Sequence, residues 1–175
     1  MTETELGEYI RDIPGFPREG IIFHDITPLL QNAKAFGEAI NQMAGLLADK
    51  EIDLLVGIES RGFIFASALA LKLGTGLVIV RKPGKLPYVT INASYDLEYG
   101  SDSLEVHRDA IHDGSRVVLI DDLLATGGTA RAAGDLVRQL GGEIAGYCFL
   151  VELTELGGKA KLAPSPVWSV LKYDL

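Results

Sequence analysis

The order of apolar and polar residues divides this chain into short runs of two kinds. Ile52 to Ile58 is a nearly continuous apolar stretch, and Leu77 to Val80 and Val117 to Ile120 repeat it. Runs of this length without alternation predict strands buried on both faces, as in a parallel sheet. From Lys34 to Lys50 the apolar positions Phe36, Ile40, Met43, Leu46 and Leu47 recur at helical spacing, with Asn32 placed to cap the start. Phe63 to Leu73 and Thr129 to Leu140 also read as helices, closed by Gly74 and by Gly141-Gly142. Strand, helix, strand repeats along the chain. That rhythm predicts an α/β fold, an open, mostly parallel twisted sheet flanked by helices and joined by right-handed crossovers.

Two segments depart from the rhythm. Residues 2 to 12 read as a short helix, and Pro14-Gly15-Phe16-Pro17-Arg18-Glu19-Gly20 then breaks the pattern into a structured loop. Residues 83 to 108 are polar, contain Pro83, Gly84, Pro87 and Gly100, and alternate weakly from Val89 to Tyr95. They read as an exposed β arm or lid inserted between core elements. No repeat or linker interrupts the rest, so residues 1 to 175 are expected to form a single domain.

Composition adds what pattern cannot. With 47% hydrophobic and 23% charged residues, the chain suits one soluble globular core. A net charge of -8 argues against a dedicated nucleic-acid binder, which gains affinity through clustered Lys and Arg. The acidic N-terminus lacks the features of a signal peptide, and no apolar run approaches the length of a membrane span. Cys148 is the one cysteine, set in an apolar run, which fits a buried core residue and a reducing cytoplasm. No partner in nucleic acid or membrane is expected.

Candidate chemistry concentrates at Asp121-Asp122-Leu123-Leu124-Ala125-Thr126-Gly127-Gly128-Thr129. Here a buried strand is read to end in two carboxylates, and a short loop leads into a helix. Ligands of open α/β sheets bind beyond the carboxyl ends of the strands. Glycines let backbone amides turn inward, and a helix start adds partial positive charge for a phosphate. Thr126 and Thr129 can donate to that phosphate, while Asp121 and Asp122 can accept from a sugar diol or help hold magnesium. The same residues also suit a capped tight turn. Neither a P-loop nor a dinucleotide fingerprint is present.

Four apolar residues, two acids and Leu-Leu-Ala-Thr-Gly-Gly-Thr resemble the signature of type I phosphoribosyltransferases for phosphoribosyl pyrophosphate (PRPP), in the variant of the adenine-specific members. The likeness runs through Phe16-Pro17 with Gly20 to Thr27, Gly57 to Phe63, Arg81 to Pro87, and Ser94 to Gly100. It implies the family's fold, with a small hood from about residue 13 to 30 and a flexible arm from about 83 to 108. It also implies transfer of the phosphoribosyl group of PRPP to adenine, giving AMP and pyrophosphate in purine salvage, with magnesium as cofactor and a homodimer as the assembly.

By that resemblance, Ala125, Thr126, Gly127, Gly128 and Thr129 hold the 5-phosphate, and Asp121 and Asp122 hold the ribose. Ser60, Arg61, Arg81, Lys82 and Lys85 meet pyrophosphate. An arginine fork suits such an anion, although Arg61 also suits a surface ion pair and the basic run a solvated face. Ile22, Phe23 and His24 match the adenine pocket, with Phe23 on one side of the base and Leu123 or Leu124 on the other; Phe23 also reads as core. The family more often has Arg at the position of His24. Glu98 matches the catalytic acid/base and Tyr99 its lid partner. Magnesium is expected mainly through PRPP, with Asp121 the candidate protein ligand; His107 and His112 show no ligand spacing.

Enzymes for 6-oxopurines resemble Asp-Thr-Gly where this chain has Ala125-Thr126-Gly127, so transfer to hypoxanthine, guanine or xanthine is the weaker enzymatic alternative. A PRPP-sensing regulator without chemistry is the other. Retention of Glu98-Tyr99 and the acidic charge argue against it.

Overall fold

The computed structural model describes residues 1–97 and 100–174. It divides into two compact units, Met1–Gln42 and Met43–Leu175. In the first, helix α1 (Glu3–Gly7) opens with a capping box: Thr2 accepts from the Glu5 amide, and Glu5 accepts from the Thr2 amide. The helix expected over 2 to 12 stops at Gly7. Strand β1 (Arg11–Pro14) follows, because its backbone pairs antiparallel with β2 (Ile22–Asp25). Helix α2 (Thr27–Gln31) leads to Asn32, whose Oδ1 accepts the amides of Lys34 and Ala35 at 3.1 and 3.0 Å. That cap starts α3 (Ala33–Leu47), as the pattern predicts.

The second unit is built on a parallel sheet. Its elements run β3 (Leu54–Ile58), α4 (Gly62–Leu73), β4 (Gly76–Val80), β5 (Thr90–Leu97), β6 (Gly100–His107), β7 (Arg116–Leu124), α5 (Gly128–Gln139), β8 (Glu143–Leu153), α6 (Gly158–Leu162) and β9 (Val167–Tyr173). Five strands lie in the order β4-β3-β7-β8-β9, all parallel, and β5 with β6 forms a separate antiparallel ribbon. The alternation of a strand sorts residues to two faces. Val56, Ile58, Val78, Val80 and Leu119 join a core with Leu136 and Val137 of α5. On the opposite face, Gly57 leaves room for α4: a Cβ there would lie 2.9 Å from that of Ala66. Among the described residues no helix is long and apolar enough to cross a membrane.

Three expectations are corrected. β7 does not end at the carboxylates but continues through them, since Asp121, Leu123 and Leu124 remain paired with Phe149, Val151 and Glu152. The sheet gains β8 and β9, which the apolar pattern did not mark. The segment read as an exposed arm is only half exposed: Leu104 and Val106 are buried in the core, and Ile91, Ala93 and Tyr95 pack against it.

Candidate active site

The chain moves outward from β3 to β4, then returns past β3 to β7 and moves outward the other way to β8 and β9. Strand order therefore reverses between β3 and β7, where the connections diverge and leave a crevice at the carboxyl edge. A cavity of about 270 Å³ occupies this place. It is lined by Glu59, Ser60 and Arg61 beyond β3, by Lys82 beyond β4, and by the continuous segment Asp121 to Ala130.

On the β7 side, adjacent strand residues place the two carboxylates differently. Asp122 is buried, and its Oδ2 lies 2.9 Å from Nε of Arg61, the residue that precedes α4. Burial pushes the Asp122 carboxyl upward against the opposing pull of Arg61. Asp121 is pushed up further, by burial first and then by the negative charge of Asp122. Gly62 allows this crowding, because a Cβ there would come within 2.8 Å of Asp121 Oδ1 and of the Ile120 carbonyl.

Next comes the turn into α5. Gly127 has φ +79°, a left-handed conformation that glycine accepts without strain. A Cβ on Gly127 would lie 2.8 Å from the Gly158 carbonyl, and one on Gly158 would lie 2.2 Å from the Ala125 carbonyl. Backbone thus packs directly on backbone, which fixes the turn from behind. The amides at the start of this twelve-residue helix open into the cavity edge, an arrangement suited to an anion.

The cations beyond β4 are held by carboxylates. Glu59 accepts the Lys82 amide at 2.8 Å and Arg81 Nε at 3.3 Å, and it pairs with Lys85 Nζ. Burial alone would raise its carboxyl; the bonds from Lys85, the Lys82 amide and Arg81 bring it below the ordinary range. Lys82 Nζ pairs with Asp102 and donates to the Tyr95 hydroxyl at 3.1 Å, both on the ribbon. Buried Glu105 accepts the amides of Lys85 and Leu86, each at 3.0 Å, while its backbone exchanges bonds with Arg81 at 2.9 and 2.8 Å.

This geometry can hold a phosphate, a diol and a second anionic group in sequence along one crevice, and comparison with known proteins agrees. A family model described as a phosphoribosyl transferase domain matches residues 24–172. The adenine phosphoribosyltransferase of Pseudothermotoga lettingae is 56% identical over 169 residues, covering 97% of this chain and 99% of its own. The chain belongs to the adenine phosphoribosyltransferase family. Solved adenine phosphoribosyltransferases share its backbone: that of Thermoanaerobacter pseudethanolicus superposes with a TM-score of 0.97 at 50% identity, covering 98% of this chain and 100% of its own. That of Saccharomyces cerevisiae, solved with adenine and an imino-altritol bisphosphate, gives 0.91 at 44% identity, covering 97% and 98%.

Within this adenine phosphoribosyltransferase fold, Ser60, Arg61, Lys82, Asp121, Asp122 and Ala125 to Thr129 line one cavity. Arg81 and Lys85 join it through Glu59. Leu124 departs from its expected place against a base: it is 1% exposed and turned into the core, where a Cβ on Gly158 would meet its side chain at 2.9 Å. Leu123 is half-buried. Ile22, Phe23 and His24 stand on β2 in the first unit, where Phe23 meets Phe16 edge-on at 5.2 Å and the buried His24 ring places Nδ1 2.7 Å from Asp12. Glu98 and Tyr99 lie outside the described residues.

Glu59, Glu105 and Gly158 were not singled out by sequence reasoning. Glu59 adjoins Ser60 and Arg61 in a quoted motif, and that adjacency was the available signal. Glu105 and Gly158 act across 20 and 33 positions of chain, on Lys85 and Ala125, and carried no local signal.

Proposed function

We propose that the chain joins N9 of adenine to the anomeric carbon of PRPP, releasing pyrophosphate and AMP, and that PRPP lies in the crevice between β3 and β7. The observation that carries this reading is the single cavity in which the glycine turn and α5 amides, the Asp121-Asp122 pair and the cations beyond β3 and β4 follow one another. Amides and hydroxyls of Ala125 to Thr129 hold the 5-phosphate. Asp121 and Asp122 accept from the ribose hydroxyls and sit where positive charge develops on the sugar as the leaving group departs. Ser60, Arg61, Arg81, Lys82 and Lys85 hold the departing pyrophosphate.

Asp121 also fits a magnesium ion. Among the described residues no group of three or more His, Cys, Asp or Glu could hold a metal, which suits an ion carried by substrate oxygens with one or two carboxylates in support. A cation beside Asp121 would relieve the burial and the repulsion from Asp122 that raise its carboxyl. Magnesium, when bound, supplies charge neutralisation to the leaving pyrophosphate. Ile22, Phe23 and His24 are assigned to adenine by family likeness, and Glu98 to proton transfer with Tyr99 as its lid partner. A homodimer and a cytosolic setting complete the reading. The setting is supported by Cys148, whose buried thiol is pushed up to about 12 and is inert to pairing.

Incubating the purified protein with PRPP, magnesium and each purine base tests this reading. AMP from adenine alone is expected; nucleotide from another base, or PRPP binding without turnover, would replace it. Glu98→Ala is expected to lower turnover at least about a hundredfold, as loss of an acid/base group does. A loss under about tenfold removes Glu98 from the mechanism.

A further inference from the structure

The side chain of Glu59 is 9% exposed, yet it lies on the lining of the cavity. Its two oxygens divide three donors from one short loop: Oε2 takes the Lys82 amide and Arg81 Nε, and Oε1 takes Lys85 Nζ. Arg81 and Lys85 are two of the three cations assigned to pyrophosphate. A carboxylate that accepts from both has the charge sign and hydrogen-bonding role of a pyrophosphate oxygen. The loop does not depend on those two ion pairs for its course, because buried Glu105 grips it separately through the Lys85 and Leu86 amides and the Arg81 backbone.

We propose that Glu59 is an internal stand-in for pyrophosphate: a positioning residue whose carboxylate occupies Arg81 and Lys85 while the site is empty and gives them up when the anion binds. The inference rests on the assignment of Arg81, Lys82 and Lys85 to pyrophosphate. The exchange is balanced in charge, since each cation leaves one anionic oxygen for another. The Lys82 amide keeps Glu59 seated throughout, so the loop is not set adrift when its side chains turn. The lysine and arginine in question are 46% and 31% exposed, so both ion pairs are weak enough to be surrendered. Glu59 thereby weakens the grip on pyrophosphate and favours its release as a product.

The test has a sign that a purely structural role would not produce. Glu59→Gln keeps a carbonyl acceptor for the Lys82 amide and removes the charge. Calorimetric titration of the full chain with inorganic pyrophosphate, without metal, should show about fivefold or greater tightening in this variant, the sum of two partly exposed ion pairs no longer surrendered. Binding of ribose 5-phosphate, which the α5 turn would hold, should stay within about twofold. Unchanged or weakened pyrophosphate binding overturns the proposal, as does equal tightening of both ligands, which would reflect only the general field. Lys85→Ala and Lys82→Ala separate the two layers. If they leave pyrophosphate affinity unchanged, the assignment of the site fails and the proposal with it; if they weaken it while Glu59→Gln does not tighten it, the role of Glu59 alone fails.

Discussion

Gly158 meets the carbonyl of Ala125 so closely that a methyl group there would stand 2.2 Å from the oxygen. Both partners are backbone, so neither can turn aside as a side chain would. Gly158→Ala is therefore expected to displace the Ala125–Gly127 turn, costing about 1–3 kcal/mol in the manner of an overpacked site. Because that turn is assigned to the 5-phosphate, KM for PRPP should rise at least about tenfold. Thermal unfolding and steady-state kinetics on the same preparation check both. In the first unit Asp25 accepts from Arg11 at 2.6 Å and from the Thr27 amide at 2.9 Å. The Arg11 hydrogen bond leads the effects that lower its carboxyl from 3.8 to about 2. A depressed folded value means stability present above the ordinary range and lost as pH falls through it. Urea midpoints measured from pH 5 to pH 2 should thus fall more steeply for the native chain than for Asp25→Asn, with the difference arising between about pH 4 and 2.

The loop between β4 and β5 shows how an element without regular structure is held. Glu105 lies on β6, and its buried carboxylate accepts the Lys85 and Leu86 amides. Burial would raise this carboxyl; the amides of Leu86, Gly84 and Lys85 and the Thr90 hydroxyl bring it down. Glu105→Ala leaves those amides without an acceptor and is expected to destabilise the chain by about 1–3 kcal/mol. Glu105→Gln keeps one oxygen and should fall between the two in urea unfolding. If Ala and Gln behave alike, charge rather than hydrogen bonding holds the loop. Elements of this kind were the least legible in the sequence. β3, β4 and the body of β7 declared themselves because burial on both faces makes a strand apolar throughout. β9 mixes Trp168, Ser169 and Lys172 with its apolar residues, as a sheet-edge strand can. The carboxyl end of β7 was misjudged because Asp121 and Asp122 look like a turn, although their backbone stays in the ladder. Glycine and acid at Asp121 to Thr129 marked the site correctly; carboxylates that act through the fold, such as Glu105, could be found only once β6 and the loop were adjacent.

At the scale of the molecule, the second unit leaves one apolar face uncovered. β4 is the edge of the five-stranded sheet. Its Val78 and Val80 point into the core with α5, so Leu77 and Ile79 point to the α4 side, where they are 38% and 37% exposed. Ile64 and Leu71, seven residues apart on α4, continue that stripe, and Leu71 is 87% exposed. Scattered apolar residues need no explanation, but four on one edge and the adjoining helix form a patch suited to association. A net charge of -8 on each chain would oppose pairing of two copies through any charged surface. An apolar contact escapes that opposition, and salt strengthens it by screening the repulsion between the copies. The homodimer proposed above should accordingly persist at high salt. Leu71→Asp with Ile79→Asp should shift the protein to a monomer in sedimentation equilibrium, while urea unfolding changes little, because both side chains are already half or more open to solvent. A double variant that remains dimeric would move the interface elsewhere on the chain, and a native protein that sediments as a monomer would remove the dimer from the reading.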